Sequence, residues 1–276
     1  MPFRPWNHRL IGVASGVSRE PSIQTGGEPV EELLDESVPA LVQPAWRERF
    51  SWLVQGTTTR GSAGPDFDLG LFAGASPGHV VHEHWNRLMS ATGMGRAVHA
   101  RQVHEADVSV HRAVPRGLTL ADACDGHVTD QSGVLLAVAI ADCVPIFVVA
   151  PDTRAVAMLH AGWRGAAAGV LERGLVRLVE EAGASIGELH VHLGPSICGH
   201  CYEVGPEVFR ALQRPVPDAP APIDLRGVLA DRARRAGVPA GRISTSAHCT
   251  RCTGSGLFSH RGGDGGRQVG YLGMRE

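Results

Sequence analysis

The chain has 276 residues, 43% of them hydrophobic, and a formal net charge of −2 at pH 7. That content supports one large domain with a buried core, while the near-neutral balance gives no basic footprint for nucleic acid and no apolar run approaches the ~20 residues of a membrane span. All 26 Lys+Arg residues are arginine, which excludes Schiff-base catalysis, pyridoxal-phosphate anchoring and a phosphate-loop lysine and leaves any anionic substrate to Arg, His or backbone amides.

Residues 1–45 mix Gly, Pro, Ser and acidic residues without periodicity and read as a loosely ordered extension with one helical turn at 30–34, ahead of a single domain over 46–276. Residues 50–59 predict the first core strand, and Val81, Trp85 and Leu88 at i, i+4, i+7 predict a helix over 79–92. Strands are expected at 97–103, 107–111, 134–141 and 155–159. A helix over 165–182 follows, with Leu171, Leu175, Leu178 and Ala182 on one face. Further on come a strand at 189–193, a short helix opened by Pro206, a helix capped by Asp224, and strands at 243–247 and 268–273. Strands interleaved with helices predict an α/β sandwich, a mixed sheet flanked by helices. The first residues lack a secretory apolar segment, so the expected location is cytoplasmic.

Two of these apolar runs end on a metal-ligating residue: 134–141 stops at Asp142-Cys143-Val144-Pro145, and 155–159 at His160-Ala161-Gly162-Trp163-Arg164-Gly165. His104 precedes Cys143 by 39 positions. Two imidazoles and a thiolate suit zinc, and three protein ligands leave a fourth position open, as in catalytic rather than structural sites. The same Cys143 and His160 also fit a cysteine hydrolase, with Asp142 or His104 orienting the base. A histidine at a strand end is also commonly a satisfied core residue. No G-x-S-x-G elbow is present for a serine hydrolase.

Cys198-Gly199-His200-Cys201 and Cys249-Thr250-Arg251-Cys252 form two C-x-x-C pairs, and the 47 residues between them exceed a zinc-ribbon spacing, so buried thiols or a disulfide stand beside a structural zinc as readings. Cys124 reads as a small core residue. His190 and His192 share a strand face, whereas His82 and His84 diverge on a helix, so nothing matches the dense ligand pattern of a multicopper oxidase.

Six blocks occur in one order: Gln102-Val103-His104; Asp125-Gly126-X-Val128-Thr129; Ala141-Asp142-Cys143-X-Pro145; His160 to Gly165; Leu193-Gly194-Pro195-Ser196-Ile197 with Cys201-Tyr202-Glu203-Val204; and Phe258-Ser259 with Gly266-Arg267. Together, over residues 52–272, they resemble the YfiH-like laccase-domain family, also called multicopper polyphenol oxidases and regarded as zinc-dependent purine nucleoside phosphorylases. The resemblance implies the YfiH-like fold, Zn2+ held by His104, Cys143 and His160 with copper less favoured, and purine nucleoside and phosphate as small-molecule partners of a monomer or homodimer. Adenosine deamination is a possible second activity. It also implies Asp142 as the residue for proton transfer or for orienting a ligand histidine, and Arg60, Arg164 and Arg267 as substrate contacts, Arg60 foremost for phosphate. The alternative is a metal- or cysteine-dependent amidase acting on cell-wall peptide precursors. Phe67-Asp68-Leu69-Gly70 departs from the family's Leu-Asn-Leu-Gly, Gly61-Ser62 from Gly-Gly, and His260 from an aromatic; these changes touch nucleoside and phosphate contacts and leave the three ligands intact.

Overall fold

In the computed structural model, which describes residues 27–35, 37–62, 66–72 and 75–276, the short apolar runs pair into two mixed sheets. The first half of the chain contributes β1 (Glu28–Val30), β2 (Leu33–Asp35), β3 (Ala40–Val42), α1 (Pro44–Arg49), β4 (Leu53–Thr58), α2 (Gly78–Thr92), β5 (Arg96–Ala100), β6 (Val108–Val110), β7 (Gly117–Ala121) and β8 (Gly126–Thr129). Then follow β9 (Val134–Ile140), β10 (Val144–Ala150), β11 (Ala155–Ala161), α3 (Trp163–Ala168), α4 (Val170–Ala182) and β12 (His190–Leu193). The remainder forms β13 (Glu203–Val204), α5 (Pro206–Ala211), β14 (Ala221–Pro222), α6 (Leu225–Arg235), β15 (Ile243–Ser246) and β16 (Gln268–Met274). One seven-stranded sheet runs β1-β15-β12-β10-β11-β8-β6, the other β2-β3-β4-β16-β9-β5-β7.

The sheets face each other across a core of Val98, Val138, Phe147, Val156, Met158 and Leu272. They approach so closely that a Cβ on Gly270 would lie 2.7 Å from the Met158 methyl and 2.8 Å from the Pro145 Cβ. The outer face of the first sheet is covered through Leu171, Leu175 and Leu178 of α4 and by Val228 and Leu229 of α6. Val81, Trp85 and Leu88 of α2 cover the other. Each helix thus buries the apolar stripe its 3.6-residue period creates. The result is the expected sandwich of mixed sheets flanked by helices.

Three expectations need correction. Residues 28–42 are not a loose extension: β1 pairs with β15, and β2 and β3 extend the other sheet from β4. The helical turn expected at 30–34 is the passage between β1 and β2, where the buried Glu32 carboxylate accepts a hydrogen bond from the Ser246 hydroxyl (2.7 Å) and pairs with His192 (3.1 Å). The part of the predicted extension over residues 1–26 lies outside the described residues. The helix expected over 165–182 is two, because Gly169 adopts φ 87°, a left-handed conformation that ends α3 and begins α4.

Candidate metal centre and active site

The chain passes from one sheet to the other between β9 and β10, and Asp142 and Cys143 occupy that crossover. His104 sits in a second crossover, from β5 to β6. His160 lies near the end of β11, where the antiparallel register sets Pro145 opposite His160 and Val144 opposite Ala161. That register carries Cys143 alongside Gly162. A Cβ there would lie 3.0 Å from the Cys143 sulfur and 3.2 Å from the His104 ring, so any side chain would press on two of the ligand candidates. One ligand atom each from His104, Cys143 and His160 lies within 4.8 Å of the others. The two imidazoles meet edge to face, centroids 4.9 Å apart.

The carboxylate that organises this cluster is Asp125, fully buried just before β8. It lies 2.8 Å from Nδ1 of His160, and because a carboxylate only accepts, Nδ1 carries the proton and Nε2 is left for a metal. The same carboxylate accepts the backbone N–H groups of Val103 (3.2 Å), His104 (3.0 Å) and Glu105 (2.8 Å). His104 has φ 61°, a costly conformation for a side-chain-bearing residue, and these bonds hold it there. Gln102 fixes the other side of the loop, exchanging bonds with the Ala139 carbonyl (2.8 Å) and N–H (2.7 Å).

Burial opposes ionisation of Cys143, yet the neighbouring His160 charge and hydrogen bonds from both imidazoles outweigh it and bring the thiol down to about 6. Burial likewise opposes the charged form of His160, but the Cys143 thiolate and Asp125 raise it to about 9. The metal-free centre is therefore a thiolate–imidazolium pair, and a cation binding there displaces the His160 proton.

The centre opens on a cavity of roughly 340 Å³, within the ~300–1,000 Å³ typical of small-molecule sites. Phe72, His99, Arg101, Gln102, His260 and Arg267 line it beside the three ligand candidates. A larger cavity of about 480 Å³, around Arg96, Arg116 and Arg275, holds none of these three residues.

The predicted substrate arginines do not gather here. Arg60 is absent from the cavity wall: it pairs with Asp264 and with Asp66 (3.2 Å) and lies over the Phe258 ring at 4.4 Å, two carboxylates and an aromatic face occupying the cation. Arg164 stacks on its neighbour Trp163 at 4.3 Å outside the cavity. Arg267 does reach the wall, although its guanidinium donates to the carbonyls of Gly265 (3.0 Å) and Gly266 (2.7 Å). Asp142 is not among the residues lining the cavity; its carboxylate accepts from the Thr250 hydroxyl (2.6 Å) and the Arg261 N–H (2.7 Å), which ties the loop before Cys143 to two others. The histidine-orienting role expected of Asp142 belongs to Asp125 by position. Asp125 and Gln102 stand inside two matching blocks, and that was the available signal; Arg101, directly before Gln102, is exposed, lines the cavity and pairs with no carboxylate among the described residues.

Comparison with known proteins gives a consistent picture. A family described as multi-copper polyphenol oxidoreductase laccase matches residues 55–275. Purine nucleoside phosphorylase YlmD of Geobacillus stearothermophilus is 34% identical over 82% of this chain and 92% of its own length. A protein of an unknown prokaryotic organism named as an adenosine deaminase is 35% identical, over 58% of this chain and 68% of its own. The crystal structure of YlmD from Geobacillus stearothermophilus superposes with TM-score 0.82 at 30% identity, covering 89% of this chain and 100% of that one. Bacillus licheniformis YfiH, TM-score 0.81 at 24% identity, speaks for the fold alone.

Proposed function

The chain belongs to the multi-copper polyphenol oxidoreductase laccase family, and from that premise we propose that it is a zinc-dependent purine nucleoside phosphorylase, cleaving adenosine- or inosine-type nucleosides with phosphate to base and ribose 1-phosphate. The observation that carries the reading is the convergence of His104, Cys143 and His160 at the floor of a ligand-sized cavity. Two nitrogens and one sulfur, with an orienting carboxylate behind one imidazole and the remaining side open, form a donor set fitted to catalytic zinc. Bound there, zinc supplies Lewis acidity and charge stabilisation at its open position, towards the oxygen that attacks.

This chain's own residues supply the rest. Asp125 fixes the tautomer of His160 and the loop bearing His104, so the ligand triangle is set before substrate arrives. Phe72, 53% exposed on the wall, offers a face for a purine ring. Arg101, on the wall and paired with no carboxylate among the described residues, is our choice of phosphate contact. In phosphorolysis a phosphate oxygen bonds to the anomeric carbon as the glycosidic C–N bond breaks, its electron pair leaves with the purine, and the purine nitrogen takes a proton. The transition state is oxocarbenium-like by analogy with other glycosyl transfers.

Adenosine deamination is the companion reading, motivated by the relative that carries that name. There a water oxygen bonds to the purine carbon bearing the amino group, the exocyclic C–N bond breaks and ammonia leaves with the water's proton; zinc held by His104, Cys143 and His160 would supply Lewis acidity for this reaction too. A copper oxidase is disfavoured, since His192 is taken by Glu32 and Ser244 and, among the described residues, the ligand atoms that cluster at this centre come from one cysteine and two histidines, short of a coupled multicopper set. Metal analysis, followed by product detection from adenosine and inosine with and without phosphate, tests the proposal. Phosphate-dependent release of free base supports it; release of ammonia alone would leave only the deaminase.

A further inference from the structure

A second cluster of metal-ligating side chains lies outside this centre and shares no residue with it. β12 and β15 are parallel neighbours, so the loops that follow them leave the same end of the sheet. One loop carries Cys198 and Cys201, the other Cys249 and Cys252. An isolated bridge between Ser196 and Cys249 and a bond from the Thr250 N–H to the Ser196 carbonyl (3.1 Å) hold the loops side by side. The 47 intervening residues, too long for a zinc ribbon, are absorbed by the helices and strands between the two loops.

The four sulfurs lie within 4.8 Å of one another, all four thiols are free, and Cys201 and Cys252 are 3.8 Å apart. A tetrahedral tetrathiolate with metal–sulfur bonds of about 2.3 Å has sulfur–sulfur edges of about 3.8 Å. The Cys249 sulfur accepts the backbone N–H groups of Cys198 (3.3 Å) and Arg251 (3.4 Å), bonds that favour a thiolate. The Arg251 side chain donates to the Cys201 carbonyl (3.1 Å), placing a cation beside the cluster. Hydrophobic packing does not account for the group, because Cys252 is exposed and Cys198 and Cys201 are only half-buried.

We propose that Cys198, Cys201, Cys249 and Cys252 hold a second, structural zinc that staples the β12 and β15 loops together. The loops it joins also support the active centre from behind. The Ile197 N–H donates to the Asp142 carbonyl (3.0 Å) and the Thr250 hydroxyl to the Asp142 carboxylate, one residue before Cys143. The staple thereby fixes the crossover on which a catalytic ligand stands.

The test is the zinc content of the purified full-length chain by native mass spectrometry, alone and with Cys143→Ala or Cys249→Ser/Cys252→Ser. The parent protein should carry about two zinc ions, and each variant about one. Cobalt loaded into the Cys143→Ala protein should show the intense sulfur-to-metal absorption of a tetrathiolate. That variant keeps all four clustered cysteines, so its result stands even if the double variant does not fold. A Cys143→Ala protein without zinc, or with these cysteines joined as disulfides by mass, would overturn the proposal. One zinc in the parent, retained on Cys143→Ala, would uphold this site while removing the metal from the active centre.

Discussion

Asp125 does at the residue scale what no single ligand can, setting the His160 tautomer and the positive-φ backbone of His104 with one buried carboxylate. Removing an orienting partner of this kind weakens metal binding about 10–100-fold. Asp125→Ala is accordingly expected to lose zinc to a competing chelator at concentrations the parent survives, whereas Asp142→Ala, which keeps both ligand-orienting bonds of Asp125 and the Ile197 N–H bond to the residue-142 carbonyl, should lose zinc less readily than Asp125→Ala. A second pair of substitutions separates the arginines. On the proposed role of Arg101, Arg101→Ala should remove a charge-assisted phosphate contact worth roughly 1.5–3 kcal/mol and lower phosphorolysis by about one to two orders of magnitude while sparing deamination. Arg60→Ala breaks the pair with Asp264 and should lower the melting temperature while reducing phosphorolysis less than Arg101→Ala does; a larger loss of phosphorolysis in Arg60→Ala would return phosphate to Arg60. The metal-free protein also has a defined pH response. Its Cys143 thiol is lowered to about 6 and His160 raised to about 9, so the thiolate–imidazolium pair persists between those values and alkylation of Cys143 should slow as pH falls through about 6. A rate rising only above about 8.5, as for an ordinary thiol, would contradict the pairing. The ligand residues themselves were legible because each ends an apolar run or sits in a matching block. Which arginine faces the cavity was not, since that depends on which carboxylates reach the others first.

At the scale of elements, β1, β2 and β3 extend both sheets at their edges. Ala40, Leu41 and Val42 are buried, and β1 and β3 cover the edges of β15 and β4. Deleting residues 1–45 would uncover both edges and remove Glu32 from His192, so the truncated chain should aggregate, as read by light scattering. Glu32 adds an acid-sensitive contribution: burial opposes its charge, but hydrogen bonds from His192 and Ser246 and the charges of His192 and His248 hold its carboxyl below the ordinary 4.5. A carboxylate depressed on folding stabilises fully above its unfolded value and loses that contribution as pH falls through the folded one. The melting-temperature gap between the parent and Glu32→Gln should therefore narrow below about pH 4.5; a constant gap would mean the charge is not the stabilising part. Helices α2 and α6 were readable from periodicity and from Asp224, whose side chain accepts the Arg226 N–H at 3.1 Å. β10 was hidden because Pro145 reads as a breaker. The Pro145 carbonyl accepts from Gly194, so its missing N–H faces the place where β12 has already ended. β1 to β3 were hidden for another reason: three-residue strands carry too little alternation to register and are specified by the sheets they complete.

The molecule as a whole explains why the centre is where it is. Two sheets stacked face to face force the chain to cross between them, and the crossovers after β5 and β9 bring His104 and Cys143 to one end of the sandwich, where β11 delivers His160. No residue spacing encodes that meeting, although each strand that produces it is local in origin. The same long-range pairing joins the loops after β12 and β15, which explains why the four cysteines looked too far apart to share an ion. The most direct measurement of the central claim is the phosphorolysis of inosine by zinc-loaded, metal-stripped and zinc-restored protein, read as free hypoxanthine. Base release should require phosphate, vanish on stripping, return with zinc, and be absent from the His160→Ala protein. Undiminished release by the stripped protein, or none by the zinc-loaded one, would contradict a zinc-dependent phosphorylase built on His104, Cys143 and His160.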